Sequence, residues 1–254
     1  MSRATTLSNE WQAFWLALGF LTRLPMLARI DYSQQLMNQS NLYFPLVGLI
    51  LGGLYVALYS ALSLLWSPWI CVLLVLCFHL WVTGAFHEDG LADSMDALGG
   101  GYSVERRLEI MKDSRIGTYG TVALVLALVL KAALLTEAEP IWLALLLTPV
   151  VARTPALLLM ASLRYVTDPD QSKSKPVADG FSCPRLLIAL GMTLLLVLIL
   201  TPWHPGLVWW CIGSVAAVTL LWGRYIKSQL GGYTGDTLGA SVAFCELVLL
   251  MGLA

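Results

Sequence analysis

Three aspartates, Asp89, Asp93 and Asp96, recur at intervals of four and three residues in a chain otherwise poor in charge. On a helix, positions i, i+4 and i+7 lie on one face, so the three carboxylates would stand together. The spacing predicts a helix that runs on from the apolar stretch before it and ends at Gly99-Gly100-Gly101, because glycine commonly terminates helices. Carboxylates there would face one another and the negative end of the helix dipole, two costs that a divalent cation offsets. An oxygen-only donor set favours Mg2+, which takes one or two carboxylates and completes its shell with substrate phosphates and water. His87 and Glu88 flank this face. A solvated acidic helix end is the plainer account, and it would suffice for a pair of aspartates. Three on one face, at the edge of an apolar run and just before a basic segment, weigh towards a site.

The basic segment follows at once. Ser103 can cap a second helix, with Glu105 in its favourable first turn. Val104, Leu108 and Met111 form its apolar stripe, while Arg106, Glu109 and Asp113 lie on another face with Arg107, Lys112 and Arg115 close by. Alone, this describes an interfacial helix with local ion pairs. Beside a carboxylate metal site, its Arg and Lys side chains gain a second use, clamping phosphate oxygens. A later glycine-rich turn, Gly231-Gly232-Tyr233-Thr234-Gly235-Asp236, precedes another apolar run. Its glycines would let the backbone approach a ligand, and helix N–H groups receive anions. Asp236 can cap that helix or join the metal site, and simple helix entry is the competing account. Lys131, Arg153 and Glu246 stand inside apolar runs, where ionisable groups are paired or functional. Arg153 calls for an anionic partner, whereas Lys131 can snorkel. The histidines form no zinc set.

The elements that must carry these residues are membrane helices. The chain has 254 residues, of which 58% are hydrophobic and 12% charged, with a mean hydropathy of +0.75. Soluble domains carry about 25% charged residues, so the composition indicates an integral membrane protein. No basic stripe with exposed aromatics is present, which argues against a nucleic-acid platform. The five cysteines lack metal-type spacing, and four lie in apolar runs as small hydrophobes. No apolar core of a signal peptide follows the start. About 20 apolar residues cross a bilayer, and seven runs qualify: residues 44–66, 68–86, 118–136, 140–162, 185–201, 207–222 and 237–254. Residues 11–24 are short for a span and read as an interfacial or re-entrant helix. Thirteen of the 15 Lys and Arg residues then fall on one side and none on the other. By the positive-inside rule that side, with the N-terminus and every long polar loop, is cytoplasmic. The fold expected is all-α and polytopic, one domain over residues 1–254. Residues 168–179 form a polar loop, either flexible or a lid over the substrate.

At these residues the chain closely resembles the cobalamin synthases, the adenosylcobinamide-GDP ribazoletransferases. Their hallmark His-x-Asp-Gly-Leu-Ala-Asp-x-x-Asp corresponds to residues 87–96, their Leu-Glu-Ile-Met-(Lys/Arg)-Asp-Ser-Arg-x-Gly-Thr-x-Gly element to 108–120, and Gly-Gly-x-Thr-Gly-Asp-Thr-Leu-Gly-Ala to 231–240. Weaker echoes occur at 20–25, 44–48 and 246–248. Glu88 stands where the family commonly has Leu, which puts its own role in doubt. The resemblance implies an inner-membrane transferase of late cobalamin synthesis that joins adenosylcobinamide-GDP to α-ribazole, or its 5′-phosphate, and releases GMP with Mg2+. It implies Asp89, Asp93 and Asp96 as metal ligands, and Arg107, Glu109, Lys112, Arg115, Arg153, Gly232, Thr234 and Gly235 as substrate contacts. Asp113 or Asp236 would accept the proton of the attacking hydroxyl. Homo-oligomers and association with other late-pathway enzymes stay open. Competing readings are a lipid-linked phosphotransferase or prenyltransferase, and a transporter. Against the transporter stand the non-central position of the polar cluster and the lack of an inverted repeat.

Overall fold

The computed structural model describes residues 3–166 and 182–254, with side chains from Asn9 onward. The expected loop at 168–179 lies outside the described residues. Twelve α-helices follow in order among those described: α1 (Arg3–Leu21), α2 (Gln34–Ser40), α3 (Phe44–Leu62), α4 (Pro68–Thr83), α5 (Phe86–Gly100), α6 (Val104–Lys112), α7 (Thr118–Glu137), α8 (Ile141–Val151), α9 (Thr154–Ser162), α10 (Cys183–Leu200), α11 (Pro205–Leu230) and α12 (Gly235–Leu250). A 3-10 turn, Asn41–Tyr43, joins α2 to α3. Proline stands in the first turn of α3, α4, α9, α10 and α11, where its missing N–H costs nothing.

Among the described residues, five helical runs are long and apolar enough to cross a membrane, and six if the bent pair α4–α5 is one span. They are α2–α3, α7, α8–α9, α10 and α11. The remaining expected span, 237–254, corresponds to α12, which is 16 residues long. At 1.5 Å per residue that is about 24 Å, short of a hydrocarbon layer of about 30 Å. The chain is thus an all-α polytopic membrane protein, with α12 packed inside it as well as along it. The α8–α9 run is the axis of the bundle, with 89% of its apolar window buried, against 17–22% for α7, α10 and α11. Large apolar side chains such as Leu126, Leu195, Ile199 and Leu221 point outward from those three, the surface that lipid covers.

Close helix approach uses small residues. A Cβ at Gly48 would lie 2.3 Å from the Pro149 oxygen and one at Gly52 2.8 Å from the Leu146 Cα, so this Gly-x-x-x-Gly pair lets α3 seat directly on α8. Gly90 does the same for α5 on α12, facing the Asp236 oxygen at 2.7 Å and the Gly239 Cα at 3.2 Å from its would-be Cβ.

One expectation is overturned. The acidic helix does not continue the apolar helix before it. Gly84 and Ala85 both adopt left-handed backbone, with φ of 68° and 55°, and α5 leaves α4 at 84°. Gly84 accepts this freely, while Ala85 pays for its Cβ. The described polar loops meet at one end of the bundle. Tyr233 donates to the Arg164 oxygen at 2.9 Å, Arg107 to the Gln229 oxygen at 2.8 Å, and Arg185 reaches Glu10 at 2.8 Å.

Candidate active site

The break before α5 changes the electrostatics of the acidic residues. Glu88 and Asp89 stand in the first turn of α5, at the positive end of its dipole. All three aspartates were expected near a negative helix end, and for Asp89 the sign is reversed. Asp89 is exposed, Asp93 half-buried and Asp96 buried. The shared face therefore slopes from solvent into the bundle.

Asp96 is tied to a neighbouring helix. One carboxylate oxygen accepts from the Gly117 N–H at 2.6 Å and the other from the Gly120 N–H at 2.8 Å. Gly117 is the N-cap of α7, and Asp96 supplies the side-chain acceptor that a glycine cap lacks. Both glycines are required, because a Cβ at either would meet the Asp96 carboxylate, at 2.5 Å from Gly117 and 2.4 Å from Gly120.

The basic segment folds as expected at its start. Ser103 caps α6, accepting from the Arg106 N–H at 3.2 Å. Hydrogen bonds from its own backbone N–H and from Ser103 hold the Glu105 carboxyl below its ordinary pKa. Within α6 the expected clamp divides. Arg107 donates to the Gly101 oxygen at 2.9 Å and to Gln229 in the last turn of α11, so its guanidinium staples the α5–α6 turn to α11. Glu109 pairs with Arg106 at 2.6 Å on the exposed side. Asp113 pairs with the exposed Arg115 at 2.6 Å. Lys112 is exposed in the last turn of α6.

The glycine-rich turn arrives beside the acidic helix. Gly232 lies so close to the Arg164 oxygen that a Cβ would stand 2.1 Å from it, which allows the parallel bridge between Tyr165 and Tyr233. Thr234 forms a capping box with Thr237 and touches the Met111 sulfur at 3.6 Å. Asp236 opens α12 with its backbone against Gly90. The N-terminus of α12 thus lies against α5 at Gly90. Arg153 does not join this face. It is 1% exposed, donates to the Pro149 oxygen, and has Nε and Nη2 without a hydrogen-bond partner among the described residues. Together with His87 and Gly235 it lines a cavity of about 30 Å³, ringed by Phe20, Phe44 and Phe86.

A buried polar chain that side-chain spacing does not reveal lies beneath the face. Tyr55 Oη lies 2.7 Å from His79 Nδ1, His79 Nε2 lies 2.9 Å from Glu88, and Lys131 Nζ lies 2.6 Å from Glu246. Lys131 is therefore paired in the core instead of snorkelling. Depth was a usable signal. Lys131 and Glu246 each lie 11–13 residues beyond the start of α7 and α12, which puts both about 16–20 Å along helices starting at the same end.

Asp89 and Asp93 suit a hard divalent cation: they offer oxygen donors only, Asp89 exposed in the favourable first turn of α5 and Asp93 half-buried one turn further on. Asp96 has one hydrogen bond on each oxygen, and its buried position makes it first an anchor of α7.

Fold and site together define a polytopic α-helical membrane protein with an acidic and basic face at one end of its bundle. Residues 13–254 match the family model described as Cobalamin-5-phosphate synthase, and the chain belongs to that family. It is 41% identical to the adenosylcobinamide-GDP ribazoletransferase of Vibrio cholerae over 98% of this chain and 95% of the relative. It is 44% identical to the protein of that name from Shewanella halifaxensis, over 96% of each. No solved structure matches it. The family assignment does not favour a prenyltransferase, another phosphotransferase or a transporter.

Proposed function

We propose that this protein joins adenosylcobinamide-GDP to α-ribazole, or to its 5′-phosphate, with release of GMP in cobalamin synthesis. The observation that carries the site assignment is the meeting of the first turn of α5 with the N-terminus of α12, beside the basic stretch that ends at Arg115. Asp89 and Asp93 would hold Mg2+ against the diphosphate. Bound there, the ion supplies Lewis-acid neutralisation of the phosphate charge. Lys112 and Arg115 bind phosphate oxygens, Arg115 exchanging Asp113 for substrate. The ribose hydroxyl oxygen forms a bond to the corrinoid-bearing phosphorus as the bond to GMP breaks. Asp236, seated against Gly90, accepts the hydroxyl proton. Positioning and charge stabilisation account for most of the catalysis, as in other phosphoryl transfers. The face is assigned to the cytoplasmic side of the inner membrane, from the one-sided distribution of Lys and Arg.

The test is GMP release by purified protein in lipid vesicles supplied with adenosylcobinamide-GDP, α-ribazole and Mg2+. Asp89→Asn is expected to abolish release while the protein remains folded in the membrane. Full activity of Asp89→Asn at low Mg2+ would remove the metal assignment, and no GMP from the unaltered protein would remove the reaction.

A further inference from the structure

Beneath the acidic face lies a closed polar chain built from five helices: Tyr55 on α3, His79 on α4, Glu88 on α5, Lys131 on α7 and Glu246 on α12. The five members are each at most 8% exposed. Ligand atoms of His79, Glu88 and Glu246 lie within 4.8 Å of one another, a spacing that could hold a metal ion. Lys131 already provides a cation there, 2.6 Å from Glu246, 3.2 Å from His79 Nε2 and 3.9 Å from Glu88. With Arg153, also buried, the two carboxylates are balanced by two cations, and a further divalent ion would leave excess charge in the core. The partners also fix the ring. With Glu88 ionised, its carboxylate accepts from a protonated His79 Nε2, which leaves Nδ1 to accept from the Tyr55 hydroxyl, while Lys131 donates to Glu246.

We propose that Glu88 is a positioning residue for the acidic face: pinned to His79 and Lys131, it sets the rotation of α5 and so the direction in which Asp89 and Asp93 point. Successive residues on a helix diverge by about 100°. Holding Glu88 inward therefore turns Asp89 out to solvent, as observed. The backbone gives independent support. Ala85, three residues earlier, keeps a left-handed conformation at φ 55°, and a strained residue of this kind persists only where its surroundings over-determine it. The chain from α3 to α12 is that constraint, together with the Arg23 N–H, which donates to the Val82 oxygen at 2.6 Å. The inference rests on the metal reading of Asp89 and Asp93.

The test compares Glu88→Leu and Glu88→Gln with the unaltered protein in detergent, on monodisperse material. Mn2+ binding is followed by electron paramagnetic resonance, and GMP release is measured against Mg2+ and against α-ribazole. Glu88→Leu is expected to weaken Mn2+ binding and raise the half-saturating Mg2+ by about tenfold or more, the usual effect of losing a residue that orients ligands. Its KM for α-ribazole stays unchanged. Glu88→Gln still accepts from His79 and recovers most of the metal affinity. If Glu88→Leu does not fold, Tyr55→Phe carries the same test, because it loosens the far end of the chain and alters no charge. Unaltered metal affinity in folded Glu88→Leu, or failing that in Tyr55→Phe, overturns the proposal while leaving the metal site intact. An unaltered protein that binds no Mn2+ overturns the metal reading, and this inference with it.

Discussion

Asp96 tests whether the acidic triad is one metal face or two structures sharing a helix. Its two oxygens accept separate backbone N–H groups, at 2.6 and 2.8 Å, and the residue is 8% exposed. A hydrogen bond to a charged group contributes about 1.5–3 kcal/mol net, and a buried donor left unpaired costs about 1–3 kcal/mol. Asp96→Asn keeps one acceptor and turns an NH2 towards the other N–H, so it should cost roughly 2–3 kcal/mol. Asp96→Ala abandons both and should cost on the order of 4 kcal/mol, a large part of a typical folding free energy. Thermal unfolding in detergent, followed through the 10 tryptophans, reads the stability, and GMP release against Mg2+ reads the metal requirement. The expected pattern is a double contrast. Asp96→Asn lowers the unfolding midpoint, and Asp96→Ala lowers it further. Asp89→Asn leaves the midpoint in place and removes activity. An Asp96→Asn protein with an unchanged midpoint and a strongly raised Mg2+ requirement would refute the anchor argument and return Asp96 to the metal.

Three further outcomes follow from the packing. Arg107→Lys keeps the charge but cannot reach the Gly101 and Gln229 oxygens together, so thermal unfolding should show a loss of about 1 kcal/mol with activity reduced and not abolished. Gly120→Ala places a Cβ 2.7 Å from the Ala92 oxygen as well as against Asp96, and should cost about 1–3 kcal/mol by the same measurement. The Glu10 carboxyl is held below its ordinary value of 4.5 by its hydrogen bond to Arg185. Its contribution is then fully present above about pH 4.5 and lost as pH falls through the lowered folded value. Glu10→Gln should therefore be less stable than the unaltered protein at neutral pH, by about 1 kcal/mol or less for this partly exposed pair, and the two unfolding curves should converge in acid.

Composition alone exposes the membrane class of the chain, because the outward faces of α7, α10 and α11 need no pattern beyond being apolar. That residues 231–236 share a side with the acidic helix was an expectation of the charge pattern, but their contact at Gly90 was not legible, because it is made by the Asp236 backbone. Nor was the break at Gly84 and Ala85. Nothing in Thr83-Gly84-Ala85-Phe86 forbids a continuous helix: a single glycine costs only about 1 kcal/mol in a helix interior, and Ala85 is a helix former driven into left-handed backbone by tertiary contacts. The duties of Arg107 and Asp96 were hidden for a related reason. Their partners are backbone groups of Gly101, Gln229, Gly117 and Gly120, and a backbone N–H or carbonyl leaves no mark in side-chain spacing.

The break has a consequence for where charge can reside. A straight helix over residues 68–100 would run about 50 Å, well beyond a layer of about 30 Å, and would leave its acidic turns without an electropositive terminus. Ending α4 at Thr83 and restarting at Phe86 creates a new N-terminus with Asp89 in its first turn. It also points Glu88 back into the bundle, where His79 and Lys131 receive it. The same bend thus separates adjacent carboxylates by function. Glu88 is neutralised inside a closed chain of buried partners, and Asp89 is left outward on a helix end that favours negative charge. On an unbroken helix the two side chains would still diverge by about 100°, but the outward Asp89 would lie far from any helix N-terminus and lose the positive dipole end that favours its charge.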